Sequence, residues 1–294
     1  MKKYILFLIS LLFIVFSLNF YFLKKFYLIE QGKKEIEHNN NTKTEKEQKQ
    51  EKKVNNINLY REKEKLDKTI FLIIDDAGWY NQNLNELLNL NIELTIAIIP
   101  GSPKAKKIYN ELIKKEKISI FIHQPMEAKN YKNNEKELLR INMSEEEILN
   151  ILNNNLLLFP LAIGMNNHTG SLFTENYEKM KIVLKWCKEN NIIFVDSKTS
   201  EYSIIKKICN EIKFPYFENE FFIDNIQDTE YITHRLNLLK EKTLKRKFII
   251  AIGHIHSNIF INQLKNEVSD FLARGIKFKK FSKDILFEMS EISL

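Results

Sequence analysis

The chain has 294 residues, of which 44% are hydrophobic and 28% charged, and its formal net charge is +7. This composition can fill the core of one large domain and excludes a chain that is disordered throughout. The positive charge comes mainly from lysines spread along the whole sequence. Because no stripe of aromatic and basic residues accompanies that charge, a nucleic-acid partner is not expected.

An apolar segment follows the two lysines at the N-terminus. It runs from Tyr4 to Leu23 and is closed by Lys24 and Lys25. About 20 apolar residues in a helix span a hydrocarbon core of roughly 30 Å, and no cleavage site of the small-x-small type follows. We therefore predict a single-pass membrane anchor within residues 1–29, with the rest of the chain outside the cytoplasm. A cleaved signal peptide, which would give a secreted form, is the alternative.

A charged segment separates this anchor from the rest of the chain. From residue 30 to residue 68 the sequence is mainly Lys, Glu, Asn and Gln, with few large apolar side chains. Such a composition cannot bury enough apolar surface to offset the entropy lost on ordering. We predict a solvated linker over residues 30–68 and one catalytic domain over residues 69–294.

Short runs of β-branched and aromatic residues alternate with amphipathic segments after the linker, which indicates repeated βα units and a mostly parallel sheet. The predicted strands cover residues 69–74, 94–99, 119–122, 162–165, 192–195, 221–223 and 248–252, with a last strand at 276–281 that closes or edges the sheet. The predicted helices cover residues 83–90, 103–115, 145–158, 175–190, 202–211, 230–243 and 258–274. Ser144 with Glu147 predicts a capping box, and Thr174 is a candidate N-cap. Cys187 and Cys209 are expected to be buried thiols, although a disulfide between them is possible.

Polar residues gather at the carboxyl ends of the predicted strands. The residues in these positions are Asp75, Asp76, His123, Glu127, Asn166, Asn167, His168, Asp196, Asp224, His254 and His256. Catalytic groups of parallel α/β barrels collect at this end of the strands. A strand buried on both faces accepts charge only near its ends, so each carboxylate alone carries little information. Histidines on three strands together with paired aspartates, however, suit a divalent cation.

Six segments of the chain resemble, in order, the divergent polysaccharide deacetylase family, which is related to the NodB-type carbohydrate esterases. They are residues 71–78, with Asp-Asp-Ala-Gly at their end, 97–103, 123–127, 164–171, 196–199 and 253–256, which read Gly-His-Ile-His. The resemblance covers residues 69–281. It implies a distorted (β/α) barrel of about seven mostly parallel strands. It also implies removal of acetyl groups from a polysaccharide by water activated at a divalent metal, with zinc as the expected cation.

The resemblance also implies roles for single residues. Asp76 and His123 correspond to metal ligands, Asp75 to the base and His254 to the catalytic acid. The wider superfamily has a second histidine four residues after the first, where this chain has a glutamate, Glu127. Either that glutamate supplies an oxygen ligand or His168 on the next strand completes the site, and we favour His168 as the ligand.

Other polar residues at the strand ends have less defined roles. Asp196 and His256, like the glutamate at position 127, could bind the metal or orient another side chain. Asn166, Asn167 and Asp224 are candidate substrate contacts, and Asp224 could equally be a simple cap at its strand end.

Two other function classes stay open. Metal-dependent phosphoesterases also use Asp and His at barrel rims, often with two cations about 3.5–4 Å apart. A domain that binds a glycan or an envelope partner and has lost turnover is the second, because the superfamily's Arg-Pro-Pro-Tyr-like motif is absent at residues 166–171.

Trp79, just beyond the aspartate pair, could stack on a sugar ring or pack in the core. The sequence gives no indication of the oligomeric state.

Overall fold

The structure is a computed structural model that describes residues 67–130 and 135–283. The predicted anchor and residues 30–66 of the predicted linker lie outside these residues, so both stay predictions. Within the two described ranges, no helix combines the length and apolar character needed to cross a membrane.

Strands and helices alternate along the described residues. The strands are β1 (Thr69–Ala77), β2 (Leu94–Ile98), β3 (Ile118–Met126), β4 (Gly164–Thr169), β5 (Ile193–Asp196), β6 (Phe217–Glu218), β7 (Phe221–Phe222), β8 (Phe248–His254) and β9 (Lys277–Phe278). The helices are α1 (Leu84–Asn89), α2 (Ala105–Leu112), α3 (Glu145–Leu158), α4 (Tyr177–Glu189), α5 (Ile205–Ile212), α6 (Thr229–Thr243) and α7 (Asn258–Ala273). Every predicted strand and helix has a counterpart. β6 was not expected, because two residues are too few to form a pattern.

The strands form one sheet in the order β6-β5-β4-β3-β2-β1-β8-β7, and neighbouring strands of this order pair in parallel. β6 and β7 occupy the two ends of the order, yet only residues 219 and 220 separate them in the chain. The sheet must therefore curl until its edges approach each other. This parallel, curled α/β sheet confirms the predicted NodB-like fold class. β9 pairs with the first residues of β1 instead of closing or edging the sheet.

Both faces of the curled sheet are buried. All nine residues of β1 are buried, as expected for a parallel strand covered on both sides. The ring of Phe281 lies inside the curl, 4.9 Å from the ring of Phe71 and 5.0 Å from that of Phe121. These aromatic rings fill the interior of the curled sheet near the first halves of the strands. A functional site is therefore expected at the carboxyl ends of the strands. Cys187 and Cys209 are buried free thiols, as predicted.

Local sequence signals set where two of the helices begin. Ser144 and Glu147 form the predicted capping box at the start of α3, with hydrogen bonds of 3.2 and 2.7 Å. The N-cap of α4 is Asn176 rather than Thr174. Thr174 is part of a short 3-10 helix that precedes α4, and its hydroxyl donates to a backbone carbonyl there. The prediction for α4 was therefore wrong by one short turn of helix.

Gly253 occupies a position in β8 where no side chain fits. A Cβ atom there would lie 2.3 Å from Cε1 of Phe260, a fully buried residue of α7. We expect Gly253→Ala to lower the free energy of unfolding by about 1–3 kcal/mol, because the ring or the strand must shift. Urea unfolding of the full chain measures this change. Leu272→Ala, at an exposed position of the same helix, is the control and should change it by less than about 0.5 kcal/mol. Unchanged stability of Gly253→Ala would contradict this packing.

Candidate active site

The carboxyl ends of β1, β3 and β4 bring three of the predicted site residues together. One possible ligand atom from each of Asp76, His123 and His168 lies within 4.8 Å of the others. We call these three residues the Asp-His-His cluster. It is the one group of His, Cys, Asp and Glu side chains within residues 67–130 and 135–283 that meets such a distance criterion for an ion.

The backbone at the end of β1 explains how two adjacent carboxylates reach the same place. Successive side chains of a strand point to opposite faces. Here the pairing of β1 with β2 shifts register between Ile74 and Ala77, and Asp76 has a φ of 65°. Aspartate adopts this left-handed conformation more readily than most residues. As a result, Asp75 Oδ2 lies 3.6 Å and Asp76 Oδ1 3.4 Å from Nε2 of His123.

Asn166 determines which nitrogen of His123 carries the proton. Its amide group donates to both carboxylate oxygens of Asp75, at 2.9 and 3.1 Å. Its Oδ1, which can only accept, lies 3.0 Å from Nδ1 of His123. Nδ1 therefore carries the proton, and in the neutral ring Nε2 presents its lone pair to the cluster. Metal-binding histidines are commonly oriented in this way through their other nitrogen.

Glu135 holds the second histidine of the cluster. Nδ1 of His168 lies 3.1 Å from Oδ1 of Asp76, whereas its Nε2 lies 3.4 Å from Oε1 of Glu135. Burial lowers the pKa of His168, but the two carboxylates outweigh burial and raise that pKa to about 9. A metal bound at Nδ1 must displace this proton, while Nε2–H keeps its carboxylate partner. Glu135 could not be predicted as a site residue, because it lies in a polar segment between β3 and α3.

We expect Glu135→Gln to weaken metal binding by about 10- to 100-fold, because a carboxylate that orients a ligating histidine also raises its basicity. Competition with a chromophoric chelator, on the full chain, measures this affinity. Glu137→Gln, two residues further along the same segment, is the matched control. Equal metal affinity of Glu135→Gln and the wild type would contradict this role.

The Asp-His-His cluster has the chemistry of a cation site. Oδ1 of Asp76 is buried and makes no well-aligned hydrogen bond to a described residue, although Nδ1 of His168 lies 3.1 Å away. Such an arrangement is costly for a charged oxygen. Burial raises the pKa of Asp76, but His123, His168 and His256 outweigh burial and hold that pKa well below its usual range. The side chain is therefore ionised. One carboxylate and two imidazoles form a donor set that zinc accepts, with a fourth tetrahedral position open.

Asp75 is the carboxylate of this site that can accept a proton. Its side chain is only 2% exposed, and burial raises its pKa above the usual range, although His123 and His254 act in the opposite direction. A carboxylate with a raised pKa takes up a proton more readily, as a general base requires. The two adjacent aspartates therefore differ in chemistry: Asp76 stays ionised, and Asp75 is the stronger base.

His254 and Asp224 form an ion pair next to Asp75. Asp224 accepts a hydrogen bond from Nδ1 of His254 at 2.8 Å and from its backbone N–H at 3.0 Å. His254 is also the β8 residue that pairs with Asp75 of β1. Burial lowers the pKa of His254, but Asp224 outweighs burial and raises that pKa to about 9. The ring is therefore protonated at neutral pH. Asp224, a candidate substrate contact in the sequence, is placed as the partner of this histidine.

This pair predicts how stability depends on pH. The pKa of His254 rises from 6.5 to about 9 on folding, so the pair stabilises the fold fully below about pH 6.5 and loses this contribution as the pH rises through about 9. We expect Asp224→Asn to lower the free energy of unfolding more at about pH 6 than at about pH 10. Denaturant unfolding at both pH values measures this difference. A loss of the same size at both would contradict the prediction.

His256 approaches the cluster from the loop after β8. Its Nδ1 is buried, has no hydrogen-bond partner among the described residues and lies 3.3 Å from Oδ2 of Asp76. Its ring centroid lies 5.1 Å from that of Tyr80. The two roles predicted for His256, metal ligand or orienting group, are both compatible with this position.

Three other predicted residues are engaged outside the cluster. The carboxylate of Glu127 accepts a hydrogen bond from the backbone N–H of Ile141 at 2.9 Å. Asp196 accepts from the Ser203 hydroxyl at 2.6 Å. Asn167 donates to the backbone carbonyl of the last residue of β4 and accepts from the first backbone N–H after β5. These bonds brace the loops at the strand ends, so the structure does not bring these side chains to the cluster.

Comparisons with known proteins agree with this picture. The family model described as divergent polysaccharide deacetylase matches residues 72–284. The chain is 29% identical over 185 residues to the uncharacterized protein YibQ of Escherichia coli (strain K12), across 63% of this chain and 58% of that protein. It is 28% identical over 187 residues to an uncharacterized protein of Haemophilus influenzae, across 64% of this chain and 66% of that protein. The matches thus span less than two thirds of either relative.

A solved structure has a similar fold. The crystal structure of an uncharacterized protein from Agrobacterium tumefaciens C58 superposes with a TM-score of 0.66 at 14% sequence identity. The superposition covers 74% of this chain and 88% of that chain. At this identity the similarity describes the fold alone.

Proposed function

Because the chain belongs to the divergent polysaccharide deacetylase family, we propose that it is a metal-dependent hydrolase that removes acetyl groups from a cell-envelope or extracellular polysaccharide. One observation carries this proposal: the Asp-His-His cluster lies beside Asp75, a second buried carboxylate that is not a member of the cluster and has a raised pKa. A purely structural ion site would not need a base next to it. Metal-dependent hydrolysis needs both the ion and a base beside it.

A divalent cation held by Asp76, His123 and His168 would supply Lewis-acid chemistry, polarising the acetyl carbonyl and making water more acidic. Zinc suits this donor set of one carboxylate and two imidazoles. Asp75 accepts the proton of the attacking water, and the amide of Asn166 keeps both of its oxygens in place, at 2.9 and 3.1 Å.

The second proton transfer belongs to His254. The departing amine or alkoxide must gain a proton, and a protonated imidazole next to the base is positioned to give it. Asp224 keeps His254 protonated and fixes the ring, so that the nitrogen not bonded to Asp224, Nε2, is the one that donates. Base and acid therefore come from neighbouring strands, β1 and β8, whose residues Asp75 and His254 are paired.

A two-cation phosphoesterase receives less support. Such enzymes hold two metals about 3.5–4 Å apart and need ligands for both. The described residues contain one group that could hold an ion. Removal of an acyl group at one cation is therefore the function that this site supports best.

Acetate release by the full chain tests the proposal. The substrates are oligomers of N-acetylglucosamine and an acetylated xylan, assayed before and after treatment with a chelator and after zinc is added back. We expect acetate release that the chelator abolishes and zinc restores. Binding of these glycans without acetate release would instead identify a glycan-binding domain that has lost turnover, and hydrolysis of phosphate esters with two bound metals would identify a phosphoesterase.

We also propose that the chain reaches its substrate from the membrane. Residues 4–23 are long and apolar enough for one membrane span, and residues 30–68 have the composition of a spacer. Protease digestion of intact and of permeabilised cells tests this topology. Digestion of residues 69–294 only after the membrane is permeabilised to the cytoplasm would contradict it.

A further inference from the structure

The exposed aromatic side chains of the described residues lie in loops at one end of the sheet. Among the described residues they are Trp79, Tyr80 and Tyr202, which are 45%, 46% and 73% exposed. Trp79 and Tyr80 follow β1, and Tyr202 lies between β5 and α5. These loops follow the carboxyl ends of their strands. The residues of the Asp-His-His cluster lie at the same ends. Single exposed apolar residues are normal on a protein surface, but that does not explain why the aromatic ones share this end.

Tyr80 is linked to the cluster through His256. Its ring centroid lies 5.1 Å from that of His256, and Nδ1 of His256 lies 3.3 Å from Oδ2 of Asp76. Trp79 is the preceding residue and is half exposed rather than packed in the core. Tyr80 therefore borders the cluster on the side of β1, and Trp79 is its exposed neighbour in the chain.

Tyr202 lies at the same end of the sheet, in the loop after β5. Its ring is 5.6 Å from Nζ of Lys129, in the loop after β3. The same amine forms an ion pair of 2.7 Å with Glu175, after β4. Contacts among the loops after β3, β4 and β5 therefore hold Tyr202 at the rim. β5 and β1 are four steps apart in the strand order, which at about 4.8 Å per step is roughly 19 Å along the curved sheet.

We propose that Trp79, Tyr80 and Tyr202 form a stacking surface for several sugar rings of one polysaccharide chain, which crosses the mouth of the barrel and presents an acetyl group to the cluster. An aromatic face covers the apolar C–H face of a sugar ring and leaves its hydroxyl groups in water. Aromatic side chains in the loops after different strands contact different sugar rings, so the preferred ligand is an oligomer. The inference rests on the proposed function in taking an acetylated glycan as the substrate.

Isothermal titration calorimetry on the full chain tests this surface. The probes are the pentamer of N-acetylglucosamine and its monomer. We expect the wild type to bind the pentamer at least about tenfold more tightly than the monomer. Trp79→Ala and Tyr202→Ala should each weaken pentamer binding by about 2- to 12-fold, the value of one aromatic contact, and the double variant more than either. Leu272→Ala, which removes a 50% exposed side chain from α7, is the control and should bind like the wild type.

Two results would overturn the stacking surface. One is equal pentamer affinity of the wild type and the double variant Trp79→Ala/Tyr202→Ala. The other is a wild type that binds the pentamer no better than the monomer. Asp76→Asn separates this inference from the proposed hydrolysis: pentamer binding by that variant that still depends on Trp79 and Tyr202 supports the surface even if the wild type releases no acetate.

Discussion

Asp76→Asn is expected to lower metal affinity by at least about 100-fold and to abolish acetate release. Breaking a buried charged contact costs about 3–5 kcal/mol, and here the side chain that changes is the one anion of the Asp-His-His cluster. Asparagine also tolerates the left-handed backbone that Asp76 adopts, with a φ of 65°. The substitution therefore removes the charge without forcing the end of β1 to refold. Metal analysis of the purified full chain, together with the acetate assay, measures both effects.

His234→Gln is the control for this experiment, because His234 lies on α6 at an exposed position. It should keep the metal content and the activity of the wild type. His123→Ala should lose metal as Asp76→Asn does. If Asp76→Asn retained a full equivalent of tightly bound metal, the cluster would not be the metal site, and the proposed hydrolysis would lose its basis.

Asp75→Asn is expected to lower the rate of acetate release by about 10²- to 10⁴-fold, the usual contribution of a general base, while metal content stays within about twofold of the wild type. The variant keeps the size of the side chain and removes the group that accepts the proton. Asp75 is not a member of the Asp-His-His cluster, and its oxygens are committed to the amide of Asn166. Turnover under saturating substrate, with metal content measured on the same sample, gives the result.

The two aspartate variants are most informative side by side. Asp76→Asn should lose metal and activity together, whereas Asp75→Asn should lose activity alone. A loss of metal by Asp75→Asn as large as that of Asp76→Asn would identify Asp75 as a ligand. It would leave the attacking water without the base assigned to it.

Much of the fold could be predicted from the sequence, because its strands and helices have distinct patterns of apolar residues. Parallel strands covered on both faces are runs of apolar residues, and their helices show a helical period, so β1 to β5 and all of α1 to α7 could be predicted. The polar residues at the strand ends could be expected to meet, because parallel strands point their carboxyl ends to the same edge. That expectation covered Asp75, Asp76, His123 and His168.

The partners of these residues were decided only by the tertiary structure. Asn166 orients His123 and Asp75, Glu135 faces His168, and Asp224 pairs with His254. None of these pairs is close in sequence, and each depends on the path of a loop. Loop paths leave no periodic pattern in a sequence. Asn166 was therefore predicted only to shape the turn or contact substrate, Asp224 to contact substrate or cap its strand end, and Glu135 was not predicted at all.

The sequence by itself thus determined which elements form and which residues reach the mouth of the barrel, because both follow from local hydrophobic period and strand direction. The tertiary structure decided the positions, hydrogen-bond partners and pKa values of those residues. The register shift and left-handed φ at Asp76 place two neighbouring carboxylates on one side of a strand. Burial raises the pKa of Asp75, whereas His123, His168 and His256 outweigh burial at Asp76 and lower its pKa. The burial of a residue and a left-handed φ at a single position depend on the packing of segments that are distant in the sequence. No local sequence pattern encodes that packing.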